Sequence, residues 1–165
     1  MATLADRPVT LRGTLVGPIV VAGLIIAVLR QLDVFVVYGL LLKVPYIVQL
    51  QFIASGLLGE TAFASGIGSA LLGLILHLVF SVVIAAVFML AATRLPVLRR
   101  NLLLGGLLYG VVVYFVMNFV VIPLSAAPPP EAIILAVIVE GIIGHALLIG
   151  LPLALIARRN ANGAM

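Results

Sequence analysis

The chain has 165 residues, of which 65% are hydrophobic and 8% charged, with a formal net charge of +4. An ordinary soluble domain is about 45–50% apolar and about 25% charged, so too little polar surface is available here to cover a water-soluble fold. The nine Lys and Arg residues flank apolar runs rather than forming a stripe, which excludes a nucleic-acid partner. The absence of cysteine excludes disulfides, thiolate metal sites and thiol catalysis.

Four apolar segments predict an all-α integral membrane four-helix bundle in a single transmembrane domain. Backbone groups in lipid must bond within their own helix. The first segment covers about 14–30, preceded by Arg7 and Arg12 and followed by Arg30. A signal peptide is the alternative reading of this segment, but no small-x-small cleavage site follows it. The next stretch, about 34–58, carries the run VFVVYGLLL between Asp33 and Lys43, and then Pro45. It reads as a short interfacial or re-entrant element. The competing expectation is a longer first helix reaching Leu42, with Arg30 and Asp33 paired inside the bundle.

The second, third and fourth spans cover about 66–92, 102–124 and 132–157. Each exceeds the ~20 residues that cross a hydrocarbon core of ~30 Å. Arg94, Arg99 and Arg100 lie between the second and third spans, and Arg158 and Arg159 follow the fourth. Only Arg30 and Lys43 fall on the other side, beside Asp33, Glu60 and Glu131. Cytoplasmic loops carry the excess of basic residues, so the expected orientation is N-in and C-in. Pro130 and Glu131 are well placed to open the fourth helix, and Pro152, which crowds the carbonyl of Leu148, predicts a kink below His145.

Ionisable groups inside a bilayer usually face protein or water and often mark function. Three of them, His77, Glu140 and His145, lie within the predicted spans, with Asn118 as a neutral companion. By residue count at about 1.5 Å each, all four fall between the outer interface and the midplane. Small residues share their helix faces: Gly66, Ala70, Gly73 and Ser81 with His77; Gly106, Gly110 and Met117 with Asn118; Gly141 and Gly144 with Glu140 and His145. Four readings of this cluster follow. It can be helix-to-helix glue, or a proton relay of Glu140, His77 and His145. It can be a haem b site with His77 and His145 as axial ligands, although aromatic and arginine partners for the propionates are sparse. A metal site of His77, His145 and Glu140 has suitable ligand types without a spacing motif. The expectation taken forward carries no cofactor and no metal.

The segments GLLYGVVVYFVMNFVVIPLSAAPPP, EGIIGHALLIGLPLALIARR and LHLVFSVVIAAVF, spread over roughly 66–159, resemble the YagU-type family of small bacterial inner-membrane proteins. The shared elements are His77, the stretch from Gly105 to Pro123 and Leu124, and Gly144-His145. The resemblance implies a multi-pass protein of the bacterial inner membrane and no particular reaction. The run QFIASGLLG at 51–59 also matches a group of uncharacterised bacterial proteins. With no catalytic constellation and many glycine-cleared faces, the leading functional expectation is a non-enzymatic protein in the lipid bilayer that associates with itself or with a membrane-protein partner. Proton or small-solute handling is the alternative, and haem binding the second alternative.

Overall fold

A computed structural model describes residues 14–129 and 135–161 of the chain. Arg7, Arg12, Pro130, Glu131 and Ala132 lie outside the described residues. The elements in order are α1 (Val16–Leu41), α2 (Tyr46–Leu58), α3 (Thr61–Ala64), α4 (Gly66–Arg94), α5 (Pro96–Arg100), α6 (Leu102–Leu124) and α7 (Leu135–Ala161). All regular structure among the described residues is helical. Four of these helices, α1, α4, α6 and α7, are long and apolar enough to cross a membrane, and of the most apolar 18-residue stretch of each only 17–22% is buried inside the protein. Leu24, Val28, Ile75, Leu108 and Phe119 stand on the outside of the bundle. In water that much exposed apolar surface is untenable, and lipid is the solvent that accepts it. The chain is a multi-pass membrane helix bundle.

The four long helices alternate in direction. Gly23 packs on Val82, Gly110 on His145 and Ala146, and Gly106 on Gly150. Val16, Arg94 and Ala161 therefore share one end of the bundle, while Leu41, Gly66, Leu124 and Leu135 share the other. The dry core lies toward the first of these ends, where Ala22 and Ile26 of α1 meet Phe88 and Met89 of α4 and Leu153 and Ala157 of α7. The Tyr109 hydroxyl of α6 donates to the Ile84 carbonyl of α4 at 2.8 Å. Its ring meets Phe88 at 5.1 Å between centroids. Tyr109→Phe keeps the ring and deletes the bond. An interhelical bond in a membrane contributes about 0.6–1.7 kcal/mol, and a loss of that size is expected in a denaturant titration of the protein in micelles.

The first span differs from the expectation of a helix ending near residue 30. Residues 16–41 form one helix, regular to Val34 and π-helical over Phe35–Leu41. The longer alternative, with Arg30 and Asp33 paired inside, is the arrangement found. The physical reason is that Arg30 and Asp33 sit three apart on one helix and neutralise each other, so neither charge stops the apolar run that follows. Arg30 and Asp33 are thus removed from the loop in which the charge count placed them, which leaves Lys43 as the basic residue of that connection. The chain reverses through Lys43, whose φ is 59°, and Pro45 precedes α2. The fourth span also runs further than expected, to Ala161.

The short helix α2 packs closely on α4. The carbonyl of Leu50 rests against Gly73 of α4 so closely that a Cβ there has no room. Gly73 is seven residues inside α4, roughly 10 Å from its start. Gln51 Nε2 donates to the Gly66 carbonyl at 2.9 Å, and the Ala126 amide donates to the Gly56 carbonyl at 3.0 Å. These bonds tie α2 to the start of α4 and to the turn after α6.

Two further π-helical stretches, Met117–Val121 in α6 and His145–Gly150 in α7, come just before Pro123 and Pro152. Each proline lacks an N–H and crowds the carbonyl four residues back. Widening the preceding turn moves that carbonyl aside, so the kink expected at Pro152 takes the form of a wide turn beginning at His145.

Candidate functional site: a charged triad between the first and fourth spans

The polar centre of the bundle is built from α1 and α7. Arg30 Nη1 donates to Asp33 Oδ2 one turn on, and Glu140 Oε1 of α7 lies 3.7 Å from the same nitrogen. The three side chains keep only 13%, 19% and 26% of their accessible surface. Their meeting point is set by Gly144. A Cβ at that residue would stand 2.7 Å from Arg30 Nη1, 2.9 Å from Glu140 Oε1 and 3.4 Å from Asp33 Oδ2. The missing side chain is the seat of the guanidinium.

By residue count Arg30 is roughly 21 Å from the start of α1 and roughly 16 Å from its end. Both distances place it well inside a hydrocarbon core of about 30 Å. Tyr38 of α1 and His145 of α7 are within electrostatic reach of the triad. Glu140 Oε1 and both side-chain polar atoms of Gln31 are buried without a hydrogen-bond partner. Buried polar atoms are ordinarily satisfied, so Glu140 has hydrogen-bonding capacity to spare at the triad.

Of the four residues singled out from the sequence, Glu140 is in this centre and His145 borders it. His145 Nδ1 bonds the Gly141 carbonyl of its own helix at 2.7 Å, and its ring meets Tyr114 edge-on at 5.3 Å. His77 is turned elsewhere, with its Nε2 3.0 Å from the Ala27 carbonyl of α1. Asn118 donates to the Tyr114 carbonyl of its own helix at 2.9 Å. Because a carbonyl only accepts, the proton in these histidine bonds sits on Nδ1 of His145 and on Nε2 of His77. The two rings that a haem reading pairs therefore engage different neighbours. Among the described residues no group of three or more His, Cys, Asp and Glu side chains is gathered as a metal would require.

Arg30 and Asp33 are functional candidates that the span boundaries hid. The signal was present as opposite charges three residues apart between two apolar runs. It becomes readable once 16–41 is taken as a single helix. No family model, no curated protein and no solved structure matches the chain.

Proposed function

We propose that this membrane protein is non-enzymatic and handles a proton, with the Arg30–Asp33–Glu140 triad as the site that holds it. The observation that carries the reading is the convergence of two carboxyls, one from each of two spans, on one guanidinium near the middle of α1. One guanidinium balances one carboxylate. The second carboxyl carries either an uncompensated charge or a proton, and exchange between those states is what a proton site performs. Buried ion pairs are weak stabilisers compared with apolar packing, whereas ionisable groups inside a membrane commonly line ion and proton paths.

Self-association, the leading expectation from the glycine-cleared faces, has a weaker basis. Gly73 is used by α2, Gly106 and Gly110 by α7, Gly141 by Tyr114 and Gly144 by Arg30, all within the chain. On the rule that basic loops face the cytoplasm, Arg94, Arg100, Arg158 and Arg159 put their end of the bundle inside, and the triad lies nearer the outer end by residue count. The resemblance to YagU-type proteins supports a bacterial inner membrane as the location.

The test is proton flux in liposomes carrying an internal pH dye. Wild-type protein is expected to collapse an imposed pH gradient faster than empty vesicles. Glu140→Gln, which keeps shape and removes the ionisable group, is expected to return the rate to that of empty vesicles, while His77→Gln leaves it unchanged. Equal rates for wild type and Glu140→Gln, or no flux in either, would overturn the reading.

A further inference from the structure

A second feature lies apart from the triad. Beside α2, between α4 and α6, the structure leaves a half-open cavity of about 450 Å³ lined by Ile53, Gly56, Leu76, Phe80, Met117 and Val121 among others. We infer that this cavity is a binding site for one acyl chain of a membrane phospholipid.

The lining chemistry selects the occupant. Ser125 is the one residue with a polar side chain among those that line the cavity, and its hydroxyl is already spent: it donates to the Ile122 carbonyl at 2.7 Å and accepts from the Ala127 amide at 3.1 Å. A polar solute entering here would shed its water and find no replacement bonds, which is costly. A hydrocarbon chain loses nothing by the same move. A cavity of this volume is within the ordinary range for ligand sites, about 300–1,000 Å³. Left empty, its walls would forgo the dispersion contacts that any hydrocarbon supplies.

The direction of the cavity selects a lipid over a side chain from a second copy. One end is at Ser125 and Ala127, just past the end of α6 at Leu124. The other reaches Leu76 and Phe80, ten and fourteen residues into α4, roughly 15 and 21 Å from its start. The cavity thus runs along the spans, from the membrane surface toward the midplane, as a lipid chain does. No single side chain follows such a path. Its rim includes Leu57, Phe80 and Leu124, all of which stand on the outer surface of the bundle, so it opens directly onto lipid. The hydrogen bond from the Ala126 amide to the Gly56 carbonyl ties its α2 wall to the turn after α6.

The test uses the full chain reconstituted in vesicles of phosphatidylethanolamine and phosphatidylglycerol, then extracted in mild detergent and weighed intact by mass spectrometry. The wild type is expected to carry one phospholipid per chain. Met117→Trp and Leu76→Trp, which fill the cavity, are expected to carry none, while Leu24→Trp on the outer face of α1 keeps it. No retained lipid in the wild type, or equal retention in the filled variants, overturns the site, and a dimer in place of a lipid adduct assigns the cavity to a second copy. Should both filling variants fail to fold, the wild type decides alone through a phospholipid spin-labelled near its chain end. An immobilised component saturating at one per chain upholds the site, and a graded, non-saturating one overturns it.

Discussion

Arg30→Leu is expected to be among the most destabilising single substitutions in the protein. It leaves Asp33 and Glu140, with 19% and 26% of their side-chain surface accessible, facing each other with no cation. Removing one partner of a buried ion pair costs about 3–5 kcal/mol because the remaining charge keeps its desolvation penalty and loses its compensation. That is a large share of a typical total of about 5–15 kcal/mol. Denaturant titration of the protein in micelles is expected to show the loss, with α1 and α7 separating first. The informative comparison is the triple variant Arg30→Leu, Asp33→Leu, Glu140→Leu. Replacing a whole buried ionic group by apolar side chains is neutral or stabilising by about 1–4 kcal/mol, so the triple variant is expected to be at least as stable as the wild type and to have lost proton flux. A triple variant as unstable as Arg30→Leu would show that the site is held by shape and not by charge. A stable triple variant with full flux would show that the triad is structural only.

The same residues mark how far the sequence could be read. The class of the molecule, its four long helices and the bounds of 102–124 follow from runs of apolar residues, because lipid leaves the backbone no other regular solution. Glu140 and the glycines beside it were legible for the same reason: a carboxyl in such a run must have a partner. The competing reading paired Arg30 with Asp33 inside the bundle, but their meeting with Glu140 was not legible. Arg30 and Asp33 look like the end of a span when each is scored as an isolated charge, and only their mutual spacing and the opposed Glu140 make them tolerable within one. His77 and Asn118 show the opposite error. Equal depth by residue count suggested that they join Glu140, but depth leaves helix rotation undetermined. His77 turns to Ala27 of α1 and Asn118 to its own helix. Rotation is set by which glycine meets which backbone, and that is a property of pairs of helices.

Those glycine contacts yield the second large effect, at Gly110. A Cβ placed there would stand 2.8 Å from the Cα of Ala146, with the His145 carbonyl closer still. The obstacle is backbone, so no rotamer change relieves it, and α6 and α7 have to move apart. Gly110→Leu is expected to cost more than the usual ~1–3 kcal/mol of an overpacked core, since Gly106 and Gly150 lie on the same contact and lose theirs as well. The displacement also reaches the site. His145 is the residue against which Gly110 packs, and Glu140 and Gly144 precede it on the same helix, so α7 carries Glu140 away from Arg30 and Asp33. Two readouts check this: a lower midpoint in denaturant, and a changed distance between spin labels on the exposed Leu108 and Leu147, with labels on the exposed Leu24 and Val83 as reference. The reference pair reports α1 against α4 and is expected to keep its distance, while the first pair, across α6 and α7, is expected to widen. Gly68→Ala is the control, because nothing lies within 4 Å of its added methyl. A glycine in an open helical position loses more backbone freedom on folding than alanine, so Gly68→Ala is expected to leave the midpoint unchanged or raise it slightly. If Gly110→Leu behaved like Gly68→Ala, the close approach of α6 to α7, and with it the placement of Glu140 beside Arg30, would be wrong.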